Sequence, residues 1–86
     1  MGICHLSKKA EAVILALGEG EFTRTELAVK AKVAGGTVKR VVDWLIENGF
    51  LEEVPVSRYR AVLRPTPKGQ ELIEAVRKLA ELTGDP

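Results

Sequence analysis

The sequence predicts a small α+β domain, mostly helical, made of three helices, a β-hairpin and a closing helix. Three observations carry that reading. Apolar residues recur every three or four positions over about 7–18, 23–31, 35–48 and 67–82, the period of amphipathic helices. The period falls to two over about 50–64, as in a half-buried hairpin. Glycines, an Asn-Gly pair and a Thr-Pro pair punctuate the joins. Eighty-six residues allow one domain, 1–86, and a chain 45% hydrophobic and 29% charged is expected to fold compactly.

The first helix is capped by Ser7 and carries Ala10, Val13, Ile14 and Leu17 at helical spacing, with Gly18 and Gly20 as its stop. In Phe22-Thr23-Arg24-Thr25-Glu26-Leu27 the Thr23/Glu26 spacing is that of a capping box, and Phe22 with Leu27 can form a hydrophobic staple. The second helix therefore starts there and runs to about Ala31. Glu21 to Thr23 could add a short third strand. After Lys32 to Gly36 a third helix places Val38, Val41, Val42 and Leu45 on one face and ends at Asn48-Gly49, a left-handed stop. Two helices joined by so short a turn make a helix-turn-helix candidate.

Phe50 to Val54 reads as a strand, Pro55-Val56-Ser57 as the turn, and Arg58 to Arg64 as the return strand, with Tyr59, Ala61 and Leu63 alternating with Arg60, Val62 and Arg64. Thr66 then caps a helix whose first residue is Pro67. That last helix carries Leu72, Val76 and Leu79 on one line, with Ile73 and Ala80 beside it. The stripe is wider than one small core needs, so Leu72, Val76 and Leu79 are expected to meet a second copy and form a homodimer.

Several function classes fall away. The longest apolar run, Ala12 to Leu17, is far short of the roughly 18 to 20 residues that cross a bilayer, so no membrane partner is expected. The first nine residues lack the apolar stretch of a signal peptide, which points to the cytoplasm. Cys4 with His5 offers two metal ligands where a structural zinc site needs four, so no metal or other cofactor is expected. Glu52 and Glu53 would point to opposite faces of a strand, and no nucleophile has a histidine partner, so an enzyme is not expected. Asparagine and glutamine are confined to Asn48 and Gln70, a usage in keeping with a thermophilic source.

Glu26-Leu27-Ala28, Val33, Thr37-Val38, Leu45 and Asn48-Gly49-Phe50-Leu51 together resemble the helix-turn-helix core of winged-helix transcription regulators of the MarR-like, ArsR-like and PadR-like group. Pro65-Thr66-Pro67-Lys68-Gly69 is similar to the segment that leads from their wing into the following helix. The resemblance covers Ser7 to about Leu82. It implies a sequence-specific regulator that binds double-stranded DNA, with helix 35–48 in the major groove and wing 50–64 on the flanking backbone. It would place Arg24, Gly35, Gly36, Thr37, Lys39, Arg40, Arg58 and Arg60 at DNA, in a protein associated with the nucleoid. Two positions depart from the pattern: Ala34 stands where a Ser or Thr cap is common, and Lys32 where the turn often has glycine.

Charge supports this assignment independently. The formal net charge is only +1, but Arg24 to Arg64 holds eight bases against five acids, while the remainder holds five against seven. With the apolar stripe of the third helix inward, Gly36, Arg40, Asp43 and Glu47 face outward, flanked by Lys39, Thr37 and Trp44. Arg40 is the residue suited to a bidentate guanine contact, and Arg58 and Arg60 to phosphates. Gly35-Gly36 leaves bare amides at a helix start. Two other uses of the same scaffold stay open: a protein-interaction module, and an architectural DNA binder with little sequence preference.

Overall fold

The computed structural model describes residues 8–82. Ser7, Cys4, His5 and the end of the chain after Leu82 lie outside them, and with them the expected Ser7 cap. The order of elements is α1 (Lys8–Leu17), α2 (Arg24–Ala31), α3 (Gly35–Glu47), β1 (Leu51–Ser57), β2 (Arg60–Pro65) and α4 (Pro67–Leu82). Four helices and one antiparallel hairpin make the mostly helical α+β fold that the periodicity predicts.

Each helix buries the face its spacing selects. Val13, Ile14 and Leu17 of α1, Leu27 of α2, and Val38, Val42 and Leu45 of α3 meet in one core with Leu51, Leu63, Ile73 and Val76. On α3 it is Val42 that is fully buried, and Val41 packs half-buried at the edge of the cluster. The capping box is present in full: Thr23 Oγ1 accepts the Glu26 amide at 3.1 Å, and Glu26 Oε1 accepts the Thr23 amide at 3.0 Å.

Helices α2 and α3 end in the same hydrogen-bonded motif. The Val33 amide donates to the Ala28 carbonyl and the Lys32 amide to that of Val29; one helix later, the Phe50 amide donates to Leu45 and that of Gly49 to Ile46. Both are Schellman ends, which require a left-handed residue. At the second, Gly49 supplies it at φ 80°; at the first it is Lys32, at φ 58°.

The hairpin differs from the sequence reading. Pro55-Val56-Ser57 is not the turn: β1 continues through it, and the chain reverses at Arg58-Tyr59. Proline reads as punctuation, but β1 is an edge strand, where the missing N–H costs no ladder bond. Val56 is a bulge between the Pro55/Ala61 and Ser57/Arg60 pairs. Neither Arg58 nor Tyr59 has positive φ, so the loop is not one of the primed turns whose twist suits a hairpin; the bulge adds twist locally. The expected third strand is a single bridge, the Leu63 amide donating to the Phe22 carbonyl at 2.8 Å.

Helix α4 is fastened to the end of α3 through Thr66. Its hydroxyl donates to the Gly49 carbonyl at 2.6 Å and accepts the Gly69 amide at 3.0 Å, and its own amide donates to the Phe50 carbonyl. The backbones approach so closely that a side chain at Gly69 would run into the Phe50 carbonyl. Phe50 in turn stacks on Trp44, with ring centroids 5.7 Å apart, and lies under the Lys68 ammonium.

Candidate nucleic-acid interface

The exposed start of α3 and the hairpin tip are the two parts of the candidate interface. Gly35, Gly36, Lys39 and Arg40 are exposed and Thr37 is half-buried, as the turn from Lys32 to Ala34 delivers them. Ala34 occupies the N-cap position and provides no side-chain bond to the first amides. A Cβ at Gly35 or Gly36 would meet open space, so packing inside the chain does not demand glycine at either position.

Cations on this surface fall into two sets. Arg24 Nη1 bonds Asp43 Oδ1 of α3 at 3.0 Å, and its Nε reaches Glu53 Oε2 of β1 at 3.5 Å, so it ties three elements together. Lys39 Nζ lies 3.0 Å from Asp43 Oδ2. Arg60 grips Glu26 with both guanidinium arms, at 2.9 and 3.1 Å. Arg40, Arg58 and Lys32 form no ion pair among the described residues; Arg58 lies over the Tyr59 ring, 6.0 Å from its centroid.

The pairs leave their mark on proton affinities. The Arg60 guanidinium, followed by the Thr23 amide, holds the Glu26 carboxyl below its usual range. Lys39 and then Arg24 do the same for Asp43, and Arg64, bonded at 2.7 Å, does so for Glu21. For Arg24, burial alone would lower the pKa, but the bonds to Asp43 and Glu53 outweigh it and raise it.

Known structures share the arrangement of these helices and hairpin. One is the Bordetella bronchiseptica protein BpsR, solved in connection with regulation of its DNA binding by 6-hydroxynicotinic acid (TM-score 0.78, 24% identity, covering 90% of this chain and 57% of that one). A second is the transcriptional regulator BldR from Sulfolobus solfataricus (TM-score 0.75, 22% identity, covering 94% and 63%). A third is a MarR family protein from Bacillus stearothermophilus (TM-score 0.65, 29% identity, covering 91% and 59%). The fold is a winged helix. Transcriptional regulators are among its structural neighbours, and the chain spans about three fifths of the length of these three proteins. No protein-family model and no curated protein sequence matches the chain.

Within the winged helix, α2 and α3 are the helix-turn-helix and β1 with β2 is the wing. Arg40, Lys39 and Thr37 sit together on α3, with Arg58 at the wing tip. Arg24, Lys39 and Arg60, expected at DNA, each have acidic partners inside the chain. Two exposed residues of this surface escaped the sequence reading. Lys32 enters the sequence reading as one of the eight bases and as a departure from glycine but not as a candidate contact, although its place in the turn exposes it. Tyr59, 90% exposed at the wing tip, belongs by alternation to the return strand; the pairing of Pro55 with Ala61, which no residue type announces, puts it in the turn instead.

Leu72, Val76 and Leu79 are placed unequally. Val76 is buried in the chain's own core, Leu72 packs half-buried against that core, and Leu79 is 48% exposed, with Leu82 beyond it at 79%. Among the described residues no group of three or more histidine, cysteine, aspartate or glutamate side chains could hold a metal ion, and no helix is long and apolar enough to cross a membrane.

Proposed function

We propose that the protein is a sequence-specific regulator of transcription that binds double-stranded DNA as a homodimer in the cytoplasm, on the nucleoid. The observation that carries this reading is the uncapped, exposed start of α3, with Arg40 and Thr37, on a fold whose wing tip bears the exposed Arg58. In the bound state α3 lies in the major groove, with Arg40 offering its fork to a guanine edge and Thr37 within reach of a base or phosphate. Arg58 meets the flanking backbone, as do the bare amides of Gly35 and Gly36. Asp43 and Glu47 lie further along α3, at the end that leaves the groove. A second copy docks on the exposed end of α4 at Leu79, which gives two half-sites related by symmetry.

Selection from random duplexes, with sizing of the bound complex, tests this reading. An enriched palindrome bound by two copies is the expected result. Binding without enrichment would replace the regulator by an architectural DNA protein, and no binding at low salt would leave a protein-interaction module.

A further inference from the structure

We infer that Glu26 is an internal competitor of DNA phosphate: it occupies Arg60 and so holds down affinity for the DNA backbone. This rests on the DNA-binding reading above and adds a regulatory contact to the same surface. Glu26 offers Arg60 two oxygens, at 2.9 and 3.1 Å, the edge-on geometry with which a phosphate also engages a guanidinium. The two side chains are 41% and 49% exposed, so the grip lies at the surface, where a phosphate can reach it.

The carboxylate is held ready by the helix start. Its Oε1 also accepts the Thr23 amide, and Thr23 holds the Glu26 amide in return. A capping box works with glutamine as well as glutamate, so the cap does not need the negative charge. Arg60 uses it. On the same wing, Arg58 has no acidic partner among the described residues. Around the wing turn, Arg58 is thus available and Arg60 occupied, and phosphate gains Arg60 only by displacing Glu26.

The test uses the whole chain and two duplexes of equal length, one selected and one random, titrated at several salt concentrations. Glu26→Gln keeps the cap and frees Arg60. It is expected to bind both duplexes about five to ten times more tightly near 0.1 M salt and to steepen the salt slope by about 0.9, one added phosphate contact. Arg60→Gln alone should leave the wild-type slope, and the double variant should return to it. An unchanged slope in Glu26→Gln, with its melting curve intact, overturns the inference. A slope that falls by about one in Arg60→Gln also overturns it, because Arg60 would then already sit on phosphate. A double variant as steep as Glu26→Gln does so too, since the effect would be repulsion by Glu26 itself. Wild-type protein that binds neither duplex overturns the DNA-binding reading instead.

Discussion

Lys32 pays for a conformation that glycine takes freely. A non-glycine residue in the left-handed region costs about 1 kcal/mol, because its Cβ crowds the following carbonyl. The Schellman end of α2 demands that conformation. Lys32→Gly is therefore expected to stabilise the fold by about 1 kcal/mol in denaturant titration, while removing one unpaired cation from the turn. An unchanged midpoint would mean that unfolded-state entropy of the new glycine cancels the relief. At Arg40 the balance concerns recognition. Its side chain makes no ion pair among the described residues, so Arg40→Ala should leave stability nearly unchanged. On a selected duplex it should cost roughly 1 to 3 kcal/mol, with little loss on random duplex. Equal losses on both would make Arg40 a phosphate contact.

Elements whose signals are local were legible from the residues, and elements fixed by a partner were not. Thr23 and Glu26 announce α2 because a capping box is a matter of spacing within four residues, and both of its bonds are present. Thr23→Ala should cost about 1 kcal/mol, seen as a lowered melting temperature, since an amide at the helix start loses its acceptor. The wing turn was misplaced because its cause lies across the sheet: pairing with β2 lets Pro55 stand in an edge strand and leaves Val56 as the bulge. Ion pairs between elements were equally hidden, for nothing local links Arg60 to a glutamate 34 residues earlier or Arg24 to Asp43 and Glu53. Those ties titrate. Glu21, Glu26 and Asp43 have lowered pKa values in the folded chain, so they contribute stability in full above the ordinary carboxylate range near pH 4. That contribution is lost as pH falls through the lowered values. Thermal midpoints should thus be level from about pH 7 to 5 and decline below about pH 4.5, and less steeply in Glu26→Gln.

For the molecule as a whole, the periodicity of α4 suggested a seam of three residues, but folding claims part of it. Val76 belongs to the chain's own core and Leu72 packs against it, so the burial of these two needs no partner. Leu79 and Leu82 remain exposed. Leu79→Glu is expected to leave the melting temperature within a few degrees of wild type while converting a dimer to monomer in sedimentation and weakening binding to a two-half-site duplex. A variant that stays dimeric would move the seam elsewhere, to α1 for example. A variant that unfolds would show that Leu79 supports the monomer.

The junction beneath Thr66 also gives the protein a built-in optical sensor. The chain's one tryptophan, Trp44, stacks on Phe50, whose carbonyl accepts the Thr66 amide and bars any side chain at Gly69. Its emission therefore reports whether α3 and α4 are still joined, whereas circular dichroism averages over all four helices. Undocking of that corner before the rest would shift Trp44 emission to longer wavelength while helicity held. Coincident traces would show that the reading helix and the closing helix come apart only when the whole molecule melts.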